Sequence, residues 1–239
     1  NAAKAPRAAH IRRRPVATMP SEGYVRFALA NRRFLAFGFL MALGSSFGQT
    51  YFIGVFGPGL RAEFGLSHGD WGLVFMAGTL ASAAVLPWTG RLIDRLDLRV
   101  FTAAAFVGLA AACFLTAIAG HVAVLVIAIF GLRQFGQGLM THTSGASMVR
   151  YFDANRGKAI SLASVGFSAG QTVLPFAAVA VIAVAGWRST YAAMGVFLLV
   201  AALPVALWLL KGHGERHRRH LDVLARPASD NAVGRQWTA

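Results

Sequence analysis

The chain has 239 residues, of which 56% are hydrophobic and 13% are charged, whereas soluble domains carry about 25% charged residues. This composition excludes an ordinary water-soluble domain. The net charge of +14 does not indicate nucleic-acid binding, because the basic residues lie between long apolar runs and in the tails, as in membrane proteins. The single cysteine, Cys113, excludes a disulfide within the chain and a cysteine-based metal centre.

The polar and basic residues divide the chain into three parts. Residues 1–33 are predicted to form a disordered basic tail in the cytosol, because they lack the short apolar core of an export signal. Residues 34–210 hold all the long apolar runs. Residues 211–239 are polar again, and we expect them to form a cytosolic linker or tail.

Six apolar runs are long enough to cross a bilayer as helices, since about 20 residues span its ~30 Å core. They cover residues 34–57, 70–89, 99–119, 122–149, 158–185 and 188–210. Turns at Gly120-His121 and Gly186-Trp187 make hairpins of the third and fourth helices and of the fifth and sixth. Of the 23 Lys and Arg residues, 20 lie on one side of this arrangement, which predicts that both termini are cytosolic. The predicted fold is an all-α polytopic membrane protein with six transmembrane helices.

The first run carries small and polar residues. Gly44 and Gly48 form a small-xxx-small pair that lets a neighbouring helix approach closely. Gln49 is costly to expose to lipid, so it is either a packing residue that hydrogen-bonds between helices or part of a cavity wall. After the outer loop, Ser67 or Asp70 is expected to cap the start of the second helix.

A lone charge, Arg133, lies near the centre of the fourth run. Eleven residues from the start of that run correspond to roughly 16 Å of helix, about half of the apolar core. A charge at that depth costs at least about 2.5–3.5 kcal/mol, so Arg133 must face a partner or water. Two interpretations remain open: a structural arginine bonded to backbone carbonyls and Gln side chains, or a binding residue for an anionic substrate.

Polar residues on the fourth and fifth runs extend this site. Gln137 follows Arg133 at helical spacing, and His142 near the inner end is either a packing or a proton-linked residue. The fifth run carries Ser164, Ser168 and Gln171 on one face. Pro175 is expected to break its hydrogen-bond ladder near the middle of the membrane, as in helices that bind solutes.

The loop between the second and third runs, GRLIDRLDLR, resembles the signature G-x-x-x-D-R-x-G-R-R of the major facilitator superfamily. The matching residues are Gly90, Asp94, Arg95 and Arg99. Asp97 and Leu98 replace the second glycine and the next arginine. The resemblance implies that this loop helps to gate the cytosolic side, and Arg133-Gln-Phe-Gly-Gln-Gly resembles the signature of the family's fourth helix.

The stretch RYFDANRGKAISLASVGFSAGQ is similar to the corresponding loop and fifth helix of monocarboxylate and oxalate/formate-type members. A full member of the superfamily has twelve helices with the substrate between two halves. This chain resembles the amino-terminal half, so we expect a missing second half or a second copy as partner. The terminal ASDNAVGRQWTA resembles the linker before helix seven.

The function that follows is secondary transport of a small organic anion by alternating access, with proton coupling left open, in the inner (plasma) membrane. The alternative is a non-transporting six-helix protein that is stable or active only as a dimer or with a partner chain. An intramembrane serine protease is disfavoured, because Ser144-Gly145 is preceded by Thr143 rather than by the required pattern. No enzymatic activity, cofactor, metal site or nucleic-acid partner is predicted.

Overall fold

The computed structural model describes residues 23–152, 155–212 and residue 214, and every regular element in these residues is helical. The α-helices are α1 (Tyr24–Ala30), α2 (Arg32–Ser45), α3 (Thr50–Val55), α4 (Gly57–Phe64), α5 (His68–Gly90), α6 (Leu92–Arg95), α7 (Leu98–Ala117), α8 (Val122–Gly131), α9 (Thr141–Tyr151), α10 (Arg156–Phe197) and α11 (Leu203–Leu209). A 3-10 turn (Ser46–Gly48) follows α2, and π-helical segments precede α9 (Leu132–Met140) and α11 (Leu198–Ala202). An all-α membrane protein is confirmed.

Four helical stretches are long and apolar enough to cross a membrane: His68–Arg95, Leu98–Ala117, Val122–Tyr151 and Arg156–Leu209. The bent pair formed by α1 and Arg32–Gly48 would be a fifth. The last stretch has 54 residues, roughly 80 Å of helix against a ~30 Å core. Six spans therefore require that this stretch be divided in two, and the count of six and the cytosolic termini stay predictions.

The break within that last stretch lies at Gly186. Its φ of 76° and ψ of 166° are non-helical, and they lie in a backbone region that residues other than glycine rarely adopt. The turn predicted at Gly186-Trp187 is therefore present. At Pro175, by contrast, α10 keeps helical geometry, so the hydrogen bond that this proline cannot donate does not divide the helix. A proline removes one hydrogen bond and need not end a helix in a membrane, where neighbouring groups satisfy the freed carbonyl.

The front of the chain is ordered further than expected. Helix α1 lies at 91° to the stretch Arg32–Gly48, and Phe27 on α1 is 2% exposed. The ring of Phe27 meets that of Phe152 edge-on at 5.4 Å. Residues 23–33, expected to be disordered, are thus mainly helical and held by aromatic packing. The rest of the predicted tail, residues 1–22, lies outside the described residues, as does most of 211–239.

The second spanning helix, α5, starts with a reciprocal capping box. Ser67 Oγ accepts a hydrogen bond from the Asp70 backbone N–H at 3.1 Å, and Asp70 Oδ2 accepts one from the Ser67 N–H at 3.1 Å. Of the two candidate caps, Ser67 is the N-cap and Asp70 is its partner. Two otherwise unpaired N–H groups at the helix start are thereby satisfied.

Small residues let the helices of the bundle approach closely. Helix α10 packs along α2 and α7, and α5 packs on α8 and on the π-helical segment after it. A Cβ placed on Gly136 would lie 2.7 Å from the Cα of Gly48. A Cβ on Gly44 would lie 3.0 Å from the sulfur of Met140. Both glycines of the small-xxx-small pair therefore face Val122–Tyr151, which is the fourth spanning helix when the bent pair at the front is counted as the first, as their spacing predicts.

A polar cluster joins three elements at one end of the bundle. Arg188 Nη2 donates to Glu63 Oε1 at 2.7 Å and to the Ala119 carbonyl at 2.7 Å, and its Nη1 donates to the Ala117 carbonyl at 2.7 Å. Trp187 Nε1 donates to Glu63 Oε2 at 3.0 Å. Hydrogen bonding from Arg188 lowers the pKa of the Glu63 carboxyl below its usual 4.5. This cluster links α4, the end of α7 and the part of α10 that follows Gly186.

Candidate functional site

The first spanning helix is broken near its middle, where the sequence predicts a continuous helix over 34–57. After the 3-10 turn, Gln49 is extended (φ −81°, ψ 151°), and α3 begins at Thr50. Ser45 Oγ donates a hydrogen bond to the Ala42 carbonyl at 2.7 Å, and such a bond from a serine to the preceding turn bends a helix. Neighbouring Gly and Ser residues also favour a kink at this place. Phe52 N–H bonds to the Gln49 carbonyl, so the Gly48 carbonyl has lost its helical partner.

Arg133 fills the gap that this break leaves. Its Nη1 donates to the Gly48 carbonyl at 3.3 Å and to Thr50 Oγ1 at 3.1 Å. The guanidinium carbon lies 5.5 Å from the centre of the Phe75 ring. The side chain is half-buried, and its Nε and Nη2 have no hydrogen-bond partner among the described residues. Arg133 is therefore tethered through one nitrogen and keeps donors for another acceptor.

A cavity of about 330 Å³, the Arg133 cavity, opens beside this side chain between α5 and the fourth spanning helix. Its lining residues are Thr79, Ser82, Ala83, Leu86, Arg133, Gln137, Gly138, Thr141 and His142. Gln137 Oε1 is buried with no hydrogen-bond partner among the described residues. The lining thus contains the cationic side chain of Arg133 together with uncharged hydrogen-bond donors and acceptors, and no carboxylate is among the described residues that line it.

A second cavity of about 320 Å³, the serine cavity, lies on the other side of the fourth spanning helix, against α10. Ser164 and Ser168 line it, and Thr141 lines both cavities. Ser164 Oγ donates to the Ile160 carbonyl at 2.8 Å, which leaves its lone pairs for a ligand. Of the other sequence-predicted residues, Gln171 is exposed and Gln49 is 8% exposed, and neither lines these two cavities.

A buried hydrogen-bond chain that sequence reasoning missed supports the wall of the Arg133 cavity. Ser82 Oγ donates to Gln134 Oε1 at 3.0 Å, and Gln134 Nε2 donates to Thr89 Oγ1 at 2.7 Å. Gln134 is 2% exposed and therefore needs these partners. Its position directly after Arg133 in an apolar run was the available signal. The chain fixes α5 against the fourth spanning helix.

The loop GRLIDRLDLR, between α5 and α7, makes long-range contacts. Asp94 forms an ion pair with Arg150 at the end of α9, and Arg150 Nη1 also donates to the Ile93 carbonyl at 3.3 Å. Asp97 Oδ1 accepts from the Arg99 N–H at 2.8 Å and so caps α7. Gly90 is buried near His142, while Arg95 is exposed. The loop therefore joins the second, third and fourth helices at one end.

Two arginines close the same end of the bundle. Arg33 Nη2 donates to the Trp208 carbonyl at 2.8 Å, and Arg99 Nη2 donates to the Leu210 carbonyl at 2.9 Å. The last carbonyls of a helix carry partial negative charge, so cations stabilise them. The C-terminal end of the last helix is thereby attached to α2 and α7.

The structure is a helical bundle in which Arg133 donates hydrogen bonds through Nη1 alone at the break in the first spanning helix. The helix that carries Arg133 lines two cavities. Residues 38–234 match the Major Facilitator Superfamily. No curated protein and no solved structure matches the chain. The family match covers well over half of the sequence, and it includes the described bundle from residue 38, within α2, onward. The chain belongs to the major facilitator superfamily of multi-pass membrane transporters.

Proposed function

We propose that this chain forms one half of a secondary transporter that carries small organic anions, such as monocarboxylates, by alternating access. Arg133 is the anion-binding residue, and Gln137 completes the first contacts. The observation that carries the proposal is the tether of Arg133 through Nη1 alone, which leaves Nε and Nη2 without a partner among the described residues. A guanidinium with two free donors on one edge matches the two oxygens of a carboxylate.

The break at Gln49 supports this role. Interrupted helices at mid-membrane depth are typical of transporter binding sites, because the freed backbone groups can coordinate a solute or its binding residues. Here the Gly48 carbonyl holds Arg133 in place without neutralising its charge. An arginine paired with a carboxylate would instead have little affinity left for an anion.

The exposed polar faces suggest what completes the path. Ser164, Ser168, Gln171 and Thr172 are exposed on α10, and Thr50 is exposed beside Arg133. We propose that a second six-helix half covers these faces and encloses the substrate between the halves. The signature loop at Asp94 and Arg150 then gates the cytosolic side. In this arrangement both termini are cytosolic and the protein lies in the inner membrane.

The second candidate is a non-transporting bundle that is stable only with a second copy or a partner chain. The same exposed polar faces favour it, because another copy could cover them as well. Crosslinking in native membranes separates the two candidates. Crosslinked dimers of this six-helix unit would favour the second, and monomers of a twelve-helix protein would favour the first.

The test of the anion role is uptake into proteoliposomes that contain the natural full-length protein. The probes are radiolabelled formate, acetate, L-lactate and oxalate. Arg133→Gln should abolish uptake of the accepted probe, and Arg133→Lys should retain part of it, since it keeps the charge but loses the planar fork. Arg61→Gln, at the outer end where Arg61 contacts His68, is the matched control and should transport normally. Unchanged kinetics in Arg133→Gln would rule out the role.

A further inference from the structure

A third cavity, of about 350 Å³, lies between the turn that joins α1 to α2 and the end of α11. We call it the basic cavity, because the cations Arg32, Arg33 and Lys211 line it. Arg33 is anchored there, since its Nη2 donates to the Trp208 carbonyl and its guanidinium carbon lies 4.8 Å from the centre of the Trp208 ring. The exposed side chains of Arg32 and Lys211 have no hydrogen-bond or ion-pair partner among the described residues.

The positive charge of the basic cavity is not balanced by the residues around it. No carboxylate is among the described residues that line it. Like charges that share one cavity repel each other, and an anion between them removes this cost. Arginine and lysine side chains are also the usual ligands of phosphate oxygens in proteins. The cavity therefore fits a phosphate group, which Arg32 and Lys211 can approach while Arg33 stays fixed to the last helix.

Helix α1 indicates that this phosphate belongs to a lipid. It lies at 91° to the stretch Arg32–Gly48 of the first spanning helix, so it runs along the membrane surface. Phe27 packs into the bundle, but Tyr24, Val25 and Leu29 are each more than half exposed. A helix in this orientation buries apolar side chains at the boundary between lipid headgroups and acyl chains. Leu29 also lines the basic cavity, so the surfaces for an acyl chain and for a phosphate adjoin.

We propose that the basic cavity binds the headgroup of an anionic phospholipid, with the phosphate among the three cations and the acyl chains beside α1. Three cations exceed the single negative charge of a phosphate diester, so they favour a lipid with net negative charge and repel the ammonium group of a zwitterionic one. Trp208 is more than half exposed beside the cavity, and tryptophan is enriched at headgroup depth. The bound lipid bridges the start of α2 and the end of α11, whichever solute the protein carries.

The test measures lipid binding to the natural full-length protein, purified in a nonionic detergent, by native mass spectrometry. The probes are phosphatidylglycerol and phosphatidylcholine with identical acyl chains. The wild type should bind its first phosphatidylglycerol at least about tenfold more tightly than its first phosphatidylcholine. The double variant Arg32→Gln/Lys211→Gln should weaken phosphatidylglycerol binding roughly twenty-fivefold, about fivefold for each charge, and leave phosphatidylcholine binding unchanged. If it does not fold, each single variant gives the same test at about fivefold.

The matched control is Arg61→Gln/Arg91→Gln, which removes the same number of charges from residues outside the basic cavity. It should keep the wild-type preference for phosphatidylglycerol. A second control adds inorganic phosphate at the concentration of the lipid. Phosphate should not displace the bound phosphatidylglycerol, because it lacks the acyl chains that contact α1.

A loss of the preference in Arg32→Gln/Lys211→Gln, with the preference kept in the control variant, supports the inference. Equal losses in both variants overturn it, because the lipid is then selected by net charge and not by the cavity. Equal binding of the two lipids by the wild type also overturns it. Displacement by inorganic phosphate shows that the cavity takes a soluble anion, and so overturns the assignment to a lipid.

Discussion

Replacing Gly48 by alanine tests the contact between the broken first helix and the fourth spanning helix. A Cβ at this position would overlap the Leu132 carbonyl oxygen and would lie 2.5 Å from the Gln137 nitrogen and 2.8 Å from the Gly136 Cα. All three are backbone atoms, which cannot rotate out of the way. The two helices must therefore separate.

The magnitude follows from the cost of overpacking. An extra methyl group in a well-packed core costs about 1–3 kcal/mol, and we expect the upper end because backbone must move. A loss of about 3 kcal/mol lowers Tm by roughly 6–12 °C in a chain of this size. Separation also lengthens the 3.3 Å bond from Arg133 to the Gly48 carbonyl, so anion uptake should fall as well.

Cys113 provides the assay. It is the single cysteine of the sequence and is 0% exposed, so a thiol-specific fluorescent dye reacts with it only when the bundle opens. Gly54→Ala is the matched control, because no heavy atom lies within 4 Å of an added Cβ there. The control should be neutral or up to about 1 kcal/mol more stable, from helix propensity. Equal Tm values for the two variants would refute the close approach of the helices.

Two further predictions concern charged groups at the ends of the bundle. Asp94 and Arg150 have side chains that are 67% and 25% exposed, so a double-mutant cycle of Asp94→Asn with Arg150→Gln should give a coupling of about 1 kcal/mol or less. A coupling above about 2 kcal/mol would contradict a solvent-screened pair. For Glu63, whose pKa is lowered by the hydrogen bonds of Arg188, the stabilisation is present above about pH 4.5 and is lost as the pH falls through the folded pKa. The wild type should therefore unfold at a higher temperature than Glu63→Gln at about pH 6, and the difference should disappear in acid. A difference that grows in acid would show that another group is responsible.

Hydropathy alone predicted the helical character of the bundle and its two tight turns. The turn at Gly120-His121 lies between the end of α7 at Ala117 and the start of α8 at Val122, and the other coincides with the positive φ of Gly186. Apolar composition decides whether a stretch is helical in a membrane, because each backbone group must bond within its own segment. The helical character and the two turns can therefore be predicted without knowing which helices pack against each other.

The details of the site depend on neighbours, and the sequence could not show them. The break at Gln49 and the π-helical segment Leu132–Met140 are local changes of backbone hydrogen bonding inside apolar runs. Only Ser45-Ser46 and Gly48 indicated the first of them. Arg133 was expected to bond to carbonyls or to an anion, and it is bonded on one side only. Asp94 pairs with a residue 56 positions away, a partner that sequence spacing does not reveal.

The two arginines that bond to the end of the last helix have a consequence for how the protein reaches its native state. In the predicted orientation, Arg33 and Arg99 act during membrane insertion only as positive charges that keep their segments in the cytosol. In the folded bundle they act through the shape of the guanidinium, which holds the Trp208 and Leu210 carbonyls. Lysine at both positions would preserve the net charge of +14 and hence the orientation, yet weaken these two bonds. Orientation in the membrane and closure of this end of the bundle are therefore separable properties of the same residues.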